Sequence, residues 1–300
     1  MTAIPFVREF DFEYGRCDRL SPLVRRVIAP NPGPFTFTGT GVFIVGHGEV
    51  AVIDPGPDAP DHRAALDAAL EGERVAKVLV THHHLDHSPL AHALAGDHGC
   101  KVYGKRPAGP SPEGGEVRME AGDDMGFRPD VEVADGDVFE GPGWTLEALH
   151  TPGHTSNHVC YGLKEENTLF SGDHVMGWST SVVSPPDGHM GDYLAQLERV
   201  RARGFDVIRP THGPAITEPE PFLDAYIAHR LKREAQILSE LEAGRTRIPD
   251  MVASMYAEVD KRLHPAAAHS VLAHVIRLVE TGQLRCDGEP GLESAYALPR

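Results

Sequence analysis

The stretch Thr81-His82-His83-His84-Leu85-Asp86-His87 constrains this chain more than any other. It reads His-x-His-x-Asp-His and follows the run 75–80, in which Val75, Val78, Leu79 and Val80 are apolar. A short apolar run rich in β-branched residues predicts a buried strand. Ser88-Pro89 then predicts a helix start, with an N-cap hydroxyl and a proline in the first turn. Four potential metal ligands, His82, His84, Asp86 and His87, would therefore sit on a strand-to-helix turn. The two alternating imidazoles can point the same way, with Asp86 and His87 on the far side. Imidazole and carboxylate donors suit zinc, iron or manganese better than a soft thiolate-bound metal. A histidine-rich surface loop would have the same composition, but nothing would then require further histidine and aspartate motifs downstream, each behind a predicted strand.

Three such motifs are present. His150-Thr151-Pro152-Gly153-His154-Thr155 comes after a predicted strand at 144–149, Ser171-Gly172-Asp173-His174 after one at 168–170, and Thr211-His212-Gly213-Pro214 after one at 207–210. The candidate ligands are then His82, His84, Asp86, His87, His154, Asp173 and His212. That is more than the four that one zinc takes, and it suits two metals sharing a carboxylate. Asp54 closes another predicted strand. Its spacing fits equally a support behind the histidine turn or a turn aspartate bonded to its own backbone.

The rest of the chain predicts a layered frame. Strand, turn and strand run from 35 to 54, and helices are expected at 59–71, 89–98 and 193–203. Arg16, Arg19, Arg25 and Arg26 are expected on a solvated surface. Residues 105–130 are rich in glycine and proline at their start. A loop of that length is functional or disordered, and a mobile flap is expected. Motifs placed after successive strands, with helices between them, predict an α/β domain that displays its ligands along one sheet edge. Beyond 219 the pattern changes to helices at 222–243, 249–257 and 266–282 and a short hairpin within 284–298. The expected division is 1–219 for the catalytic domain and 220–300 for a small winged-helix-like module.

Charge limits the partners. The net charge of −16 opposes broad electrostatic binding to nucleic acid. The C-terminal module is itself slightly acidic, so packing, homodimer formation or substrate shaping is expected of it rather than DNA reading. No apolar stretch of about 18 residues exists, so no membrane span is expected. The N-terminus does not read as a signal peptide, and a cytoplasmic protein is expected. Cys17, Cys100, Cys160 and Cys286 are far apart and form no thiolate metal knuckle.

The ordered set His-x-His-x-Asp-His, His, Asp, His resembles the metallo-β-lactamase superfamily, across nearly all of residues 30–215. The resemblance implies a four-layer αββα sandwich. It implies that His82, His84 and His154 hold one divalent metal and that Asp86, His87 and His212 hold a second. Asp173 and an attacking hydroxide would bridge the two. Zinc is the first expectation, with manganese or iron as alternatives. Asp86 would orient the nucleophile, and Asp54 would take the supporting role. A narrower resemblance lies in Asn31-Pro32-Gly33-Pro34-Phe35-Thr36, in the run from Thr151 to His158, and in His229-Arg230-Leu231-Lys232-Arg233-Glu234-Ala235-Gln236-Ile237-Leu238. These look like the group of β-lactamase-like protein 2 and its bacterial relatives, whose eukaryotic member cleaves single-stranded RNA. The expected activity is metal-dependent hydrolysis of a phosphodiester or other ester, on a small molecule or single-stranded RNA. Thioester hydrolysis resembling glyoxalase II is the alternative, followed by a mononuclear iron dioxygenase and a non-catalytic binding protein. His158 and His189 are expected to contact substrate.

Overall fold

A computed structural model describes residues 3–108 and 122–299. The first sheet places β1 (Cys17–Arg19), β2 (Val24–Ile28), β3 (Gly41–His47), β4 (Glu49–Ile53), β5 (Arg74–Leu79), β6 (Lys101–Gly104) and β7 (Val131–Glu132) side by side in chain order. It is antiparallel from β1 to β4 and parallel from β4 to β7. The parallel pairs β4–β5 and β5–β6 need crossovers, supplied by α1 (Pro60–Ala69) and α2 (Ala91–His98). The second sheet holds β8 (Val138–Gly141), β9 (Trp144–His150), β10 (Val159–Leu163), β11 (Thr168–Gly172) and β12 (Val207–Pro210). Its one parallel pair, β11 and β12, is joined through α3 (Met190–Arg203).

Side-chain alternation explains the layers. On β3, Val42 and Ile44 face a core shared with Leu66 of α1 and Leu94 of α2, while Phe43 and Val45 face the other sheet. There they meet Trp144, Leu146, Tyr161 and Phe170. Strands buried on both faces read as continuous apolar runs, as β3 and β4 do. The outer face of the second sheet packs on α3 through Tyr193, Leu197 and Val200. Helix, sheet, sheet, helix is the αββα order expected.

Past the second sheet lie α4 (Pro219–Glu242), α5 (Ile248–Met255), α6 (His264–Glu280) and the ribbon β13 (Arg285–Cys286) with β14 (Tyr296–Ala297). Ile237, Leu241, Ile248, Met251, Val275, Leu278 and Tyr296 give this module its own core. The first half of α4 does not join it. Phe222, Leu223, Tyr226 and Ile227 pack instead against α3 and the second sheet. No helix among the described residues is long and apolar enough to cross a membrane.

Three expectations need correction. Residues 35–40 are turns rather than strand, and β3 begins only at Gly41. β1 and β2 were hidden because arginines interrupt them. Arg26 is buried, not solvated; it pairs with Asp18 at 3.3 Å and lies over the Phe10 ring. Ser88 does not cap α2, whose N-cap is Leu90; its hydroxyl bonds His84 O and Asp124. Of the 105–130 excursion expected as a flap, 109–121 lie outside the described residues.

Candidate metal centre

Each sheet delivers its motifs to one edge. The histidine turn follows β5, His154 lies between β9 and β10, Asp173 follows β11 and His212 follows β12. Gly172, immediately before Asp173, has φ +52, and a Cβ there would lie 2.6 Å from His158 Nε2 and 2.9 Å from Thr81 Oγ1. Only glycine lets β11 end that close to the histidine turn.

The seven expected ligands are all buried and form two groups. His82, His84, His154 and Asp173 offer donor atoms within 4.8 Å of one another, as do Asp86, His87 and His212. His82 Nε2 and His84 Nδ1 face each other at 2.8 Å. Asp173 looks both ways: Oδ1 lies 3.4 Å from His212 Nε2 and 3.7 Å from His87 Nε2, while Oδ2 lies 3.9 Å from His154 Nε2. Asp86 Oδ2 is 3.1 Å from His212 Nε2 and 3.4 Å from Thr40 Oγ1.

Every imidazole in the set has its other nitrogen held. His82 Nδ1 meets Thr81 Oγ1 at 3.0 Å, and His84 Nε2 meets Asp123 Oδ1 at 3.4 Å. His87 Nδ1 bonds Asp54 Oδ2 at 2.9 Å, His154 Nδ1 bonds Val182 O at 2.7 Å, and His212 Nδ1 bonds Gly39 O at 3.1 Å. Such outer contacts fix ring orientation and tautomer. Asp54 also accepts from Thr81 N, Thr81 Oγ1 and Thr211 Oγ1, so it ties the ends of β5 and β12 together. Thr81, Asp123, Val182 and Gly39 were absent from the expected site. Asp123 sits at the far end of the long excursion, and a backbone carbonyl has no sequence signature.

The electrostatics describe a site built for cations. Burial would raise the Asp86 and Asp173 carboxyls, but the imidazoles of His87 and His212 outweigh it and hold both below the usual carboxylate range. Burial would lower His87, yet Asp86, Asp54 and Asp173 hold it well above an ordinary histidine. His212, likewise opposed by burial, is pushed up to about 10 by Asp173 and Asp86. Burial pushes His82 well down, and the rings of His87, His84 and His154 add to it. His82 is thus held neutral, while Asp86 and Asp173 stay ionised beside the rings of His87 and His212. Asp86 Oδ1, His87 Nε2 and Asp173 Oδ1 are buried without a hydrogen-bond partner. Buried polar atoms are normally paired, and converging donors left in this state fit divalent cations.

Two expected substrate contacts are placed elsewhere. His158 is fully buried; it bonds Thr151 Oγ1 through Nδ1 and accepts from the Asp173 amide through Nε2. It supports the backbone of Asp173 and is not among the residues lining the cavity over the clusters. His189 caps the N-terminus of α3 and pairs with Glu280 of α6 at 3.0 Å. The cavity over the two clusters is lined instead by Pro34, Phe35, Met176, Trp178, Val182 and the small hydroxyls Ser179 and Thr180. No lysine or arginine is among its described lining residues.

Residues 36–212 match the family model described as Metallo-beta-lactamase superfamily, and residues 248–291 that of the Beta-lactamase associated winged helix domain. A Beta-lactamase-like protein 2 homolog of Drosophila melanogaster is 32% identical, over 89% of this chain and 91% of its own. An atrochrysone carboxyl ACP thioesterase of Aspergillus novofumigatus is 28% identical, over 93% of this chain and 85% of its own. Among solved structures, a metallo-beta-lactamase family protein from Thermus thermophilus has TM-score 0.73 at 22% identity, covering 94% of this chain and 100% of its own. A beta-lactamase domain protein from Burkholderia ambifaria has TM-score 0.76 at 20% identity, covering 95% and 94%. Both share the fold.

Proposed function

The chain belongs to the metallo-β-lactamase superfamily of hydrolytic enzymes, and from that premise we propose that it hydrolyses a thioester, freeing a carboxylic acid from a thiol carrier. The observation that carries this reading is the cavity wall. Pro34, Phe35, Met176, Trp178 and Val182 are apolar, and no basic side chain is among the described lining residues. An acyl chain gains by leaving water on such a surface, whereas an RNA backbone needs cations there. The net charge of −16 acts in the same direction. The name of the Aspergillus relative, a thioesterase acting on a carrier-bound acyl group, supports the same substrate class.

His82, His84 and His154 would hold one divalent metal and Asp86, His87 and His212 the other, with Asp173 between them; zinc is the first choice. When bound, such a pair supplies acidified water and polarises a carbonyl. The chain's own residues do the rest. The apolar wall and buried ligands exclude bulk water. Ser179 and Thr180 line the same cavity, and their hydroxyls would orient the acyl carbonyl. Asp86 is ionised, and its buried, unpartnered Oδ1 would take the proton of the attacking water. The water oxygen ends on the acyl carbon, the carbon–sulfur bond breaks, and the proton passes to the departing thiolate.

The test is a panel of acyl thioesters beside a labelled single-stranded RNA, with protein stripped by chelator and reloaded with zinc, manganese or iron. Metal-restored thioester turnover, lost in Asp86→Ala by at least about a hundredfold, is the expected result. RNA cleavage without thioester turnover would replace this reading with the phosphodiester one. A single iron per chain in freshly purified protein would replace the dinuclear assignment.

A further inference from the structure

The Val182 carbonyl that holds His154 belongs to an irregular segment between β11 and α3. A segment without a ladder depends on side chains for its position. Here they come from α4, outside the family match at 36–212. Tyr226 Oη accepts from the Ser181 amide at 2.6 Å and donates to Ser179 O at 3.2 Å. Arg230 donates to Ser181 O, and its guanidinium lies 5.2 Å from the Tyr193 ring centroid and 5.8 Å from that of Tyr226. Ser181 Oγ in turn bonds His174 O, next to Asp173.

Tyr226 is 0% and Arg230 3% exposed, and neither lines the cavity, so neither is placed to touch substrate. A guanidinium taken this far from water is retained only where its planar donors and ring stacking fix something. What it fixes is one residue from Val182. We propose that Tyr226 and Arg230 are positioning residues for the cluster of His82, His84 and His154. Through Ser181 they set the Val182 carbonyl, and through that carbonyl the ring of His154. The C-terminal helix is then part of the metal centre's support. This rests on His154 being a metal ligand, as in the function proposed above.

The test is a titration of metal-free full-length chain with cobalt(II), followed by its visible bands and by competition with a chromophoric chelator. His154→Ala identifies the equivalent to which His154 contributes. Tyr226→Phe keeps the ring and removes only the hydroxyl. It is expected to weaken that same equivalent about tenfold, alter its bands, and leave the other equivalent unchanged. Arg230→Met is expected to act on the same equivalent, with Arg230→Lys recovering part of the affinity. If Arg230→Met fails to fold, Tyr226→Phe decides alone. Loosening of the fold in general would weaken both equivalents alike, and that result overturns the proposal. So does wild-type binding in Tyr226→Phe while His154→Ala is defective. Unchanged binding in His154→Ala would overturn the ligand assignment itself, and this proposal with it.

Discussion

Two carboxylates stand behind the ligand histidines, and their surroundings predict different consequences of removal. Asp54 is fully buried and accepts four hydrogen bonds, from Thr81 N and Oγ1 at 2.7 Å, His87 Nδ1 at 2.9 Å and Thr211 Oγ1 at 3.2 Å. Asp54→Ala leaves those donors unpaired and is expected to cost about 3 kcal/mol or more in urea unfolding. Asp54 also has φ +49, which asparagine tolerates and alanine does not. Asp54→Asn is therefore expected to lose less stability than Asp54→Ala while still weakening metal binding. Asp123 is different. Its side chain is 34% exposed and lies 3.4 Å from His84 Nε2. Asp123→Ala is expected to lower metal affinity about tenfold in chelator competition, with urea stability within about 0.5 kcal/mol of the parent. The seven candidate ligands were legible because each stands in a short motif behind a strand. Asp123 was not, since no periodicity links it to the histidine turn. His158 was misjudged for a related reason. Four residues from His154, it would share a face only on a helix; in a loop entering β10 its ring turns inward to Asp173 N.

At the scale of elements, strand patterns read well where the apolar run was unbroken, as in β3 and β4, or alternated, as in β9, and poorly where arginines sit in the strand, as in β2. A strand's backbone does not exclude Arg26; an aspartate and an aromatic ring make its burial tolerable. The approach of α3 to the His154 loop had no sequence signal beyond one glycine. Gly153 has φ +140, and a Cβ there would lie 2.4 to 2.5 Å from the N, Cα and Cβ of Tyr193. Gly153→Ala must move backbone, so a loss of roughly 2–4 kcal/mol is expected together with weaker metal binding at neighbouring His154. Urea unfolding and metal titration of the same preparation check both. The helices α4 and α6 carry a pH response. Burial, with Arg230 and Arg233 beside it, pushes His229 down to about 4. Burial also lowers His274, with Glu234 opposing. The unfolded chain binds these protons more readily, so the associated stability is present above about pH 6.5 and is lost as pH falls toward 4. Hydrogen exchange corrected for its intrinsic rate is expected to show 219–280 losing protection as pH falls from 6.5 to 4.5, and unchanged protection there would contradict it.

For the whole molecule, the question is whether the family-matched region stands without the C-terminal helices. The pattern shift at 219 was visible in the sequence, yet it falls at the first turn of a helix that serves two cores. Phe222, Leu223, Tyr226 and Ile227 complete the packing of α3, while Ile237 and Leu241, further along the same helix, belong to the terminal module. Ala273 of α6 enters the first of these cores too. Sequence periodicity marks which face of α4 is apolar but not that the partner changes halfway along it. The energetic consequence is large. Four such side chains at roughly 1.5–3 kcal/mol each amount to about 6–12 kcal/mol, close to the whole margin of about 5–15 kcal/mol by which a domain is stable. Residues 1–218 alone would expose the α3 face and would lose the hold of Tyr226 on Ser181. They are expected to be insoluble, or to bind a hydrophobic dye and lack a cooperative unfolding transition. Residues 1–243 retain all of α4 and are expected to recover part of the transition and of the metal binding, short of the full chain because Ala273 and the Glu280–His189 contact are absent. Soluble yield, dye binding and metal content compared across the three lengths decide the matter, and a cooperative, metal-loading 1–218 would show that the catalytic layer closes without α4.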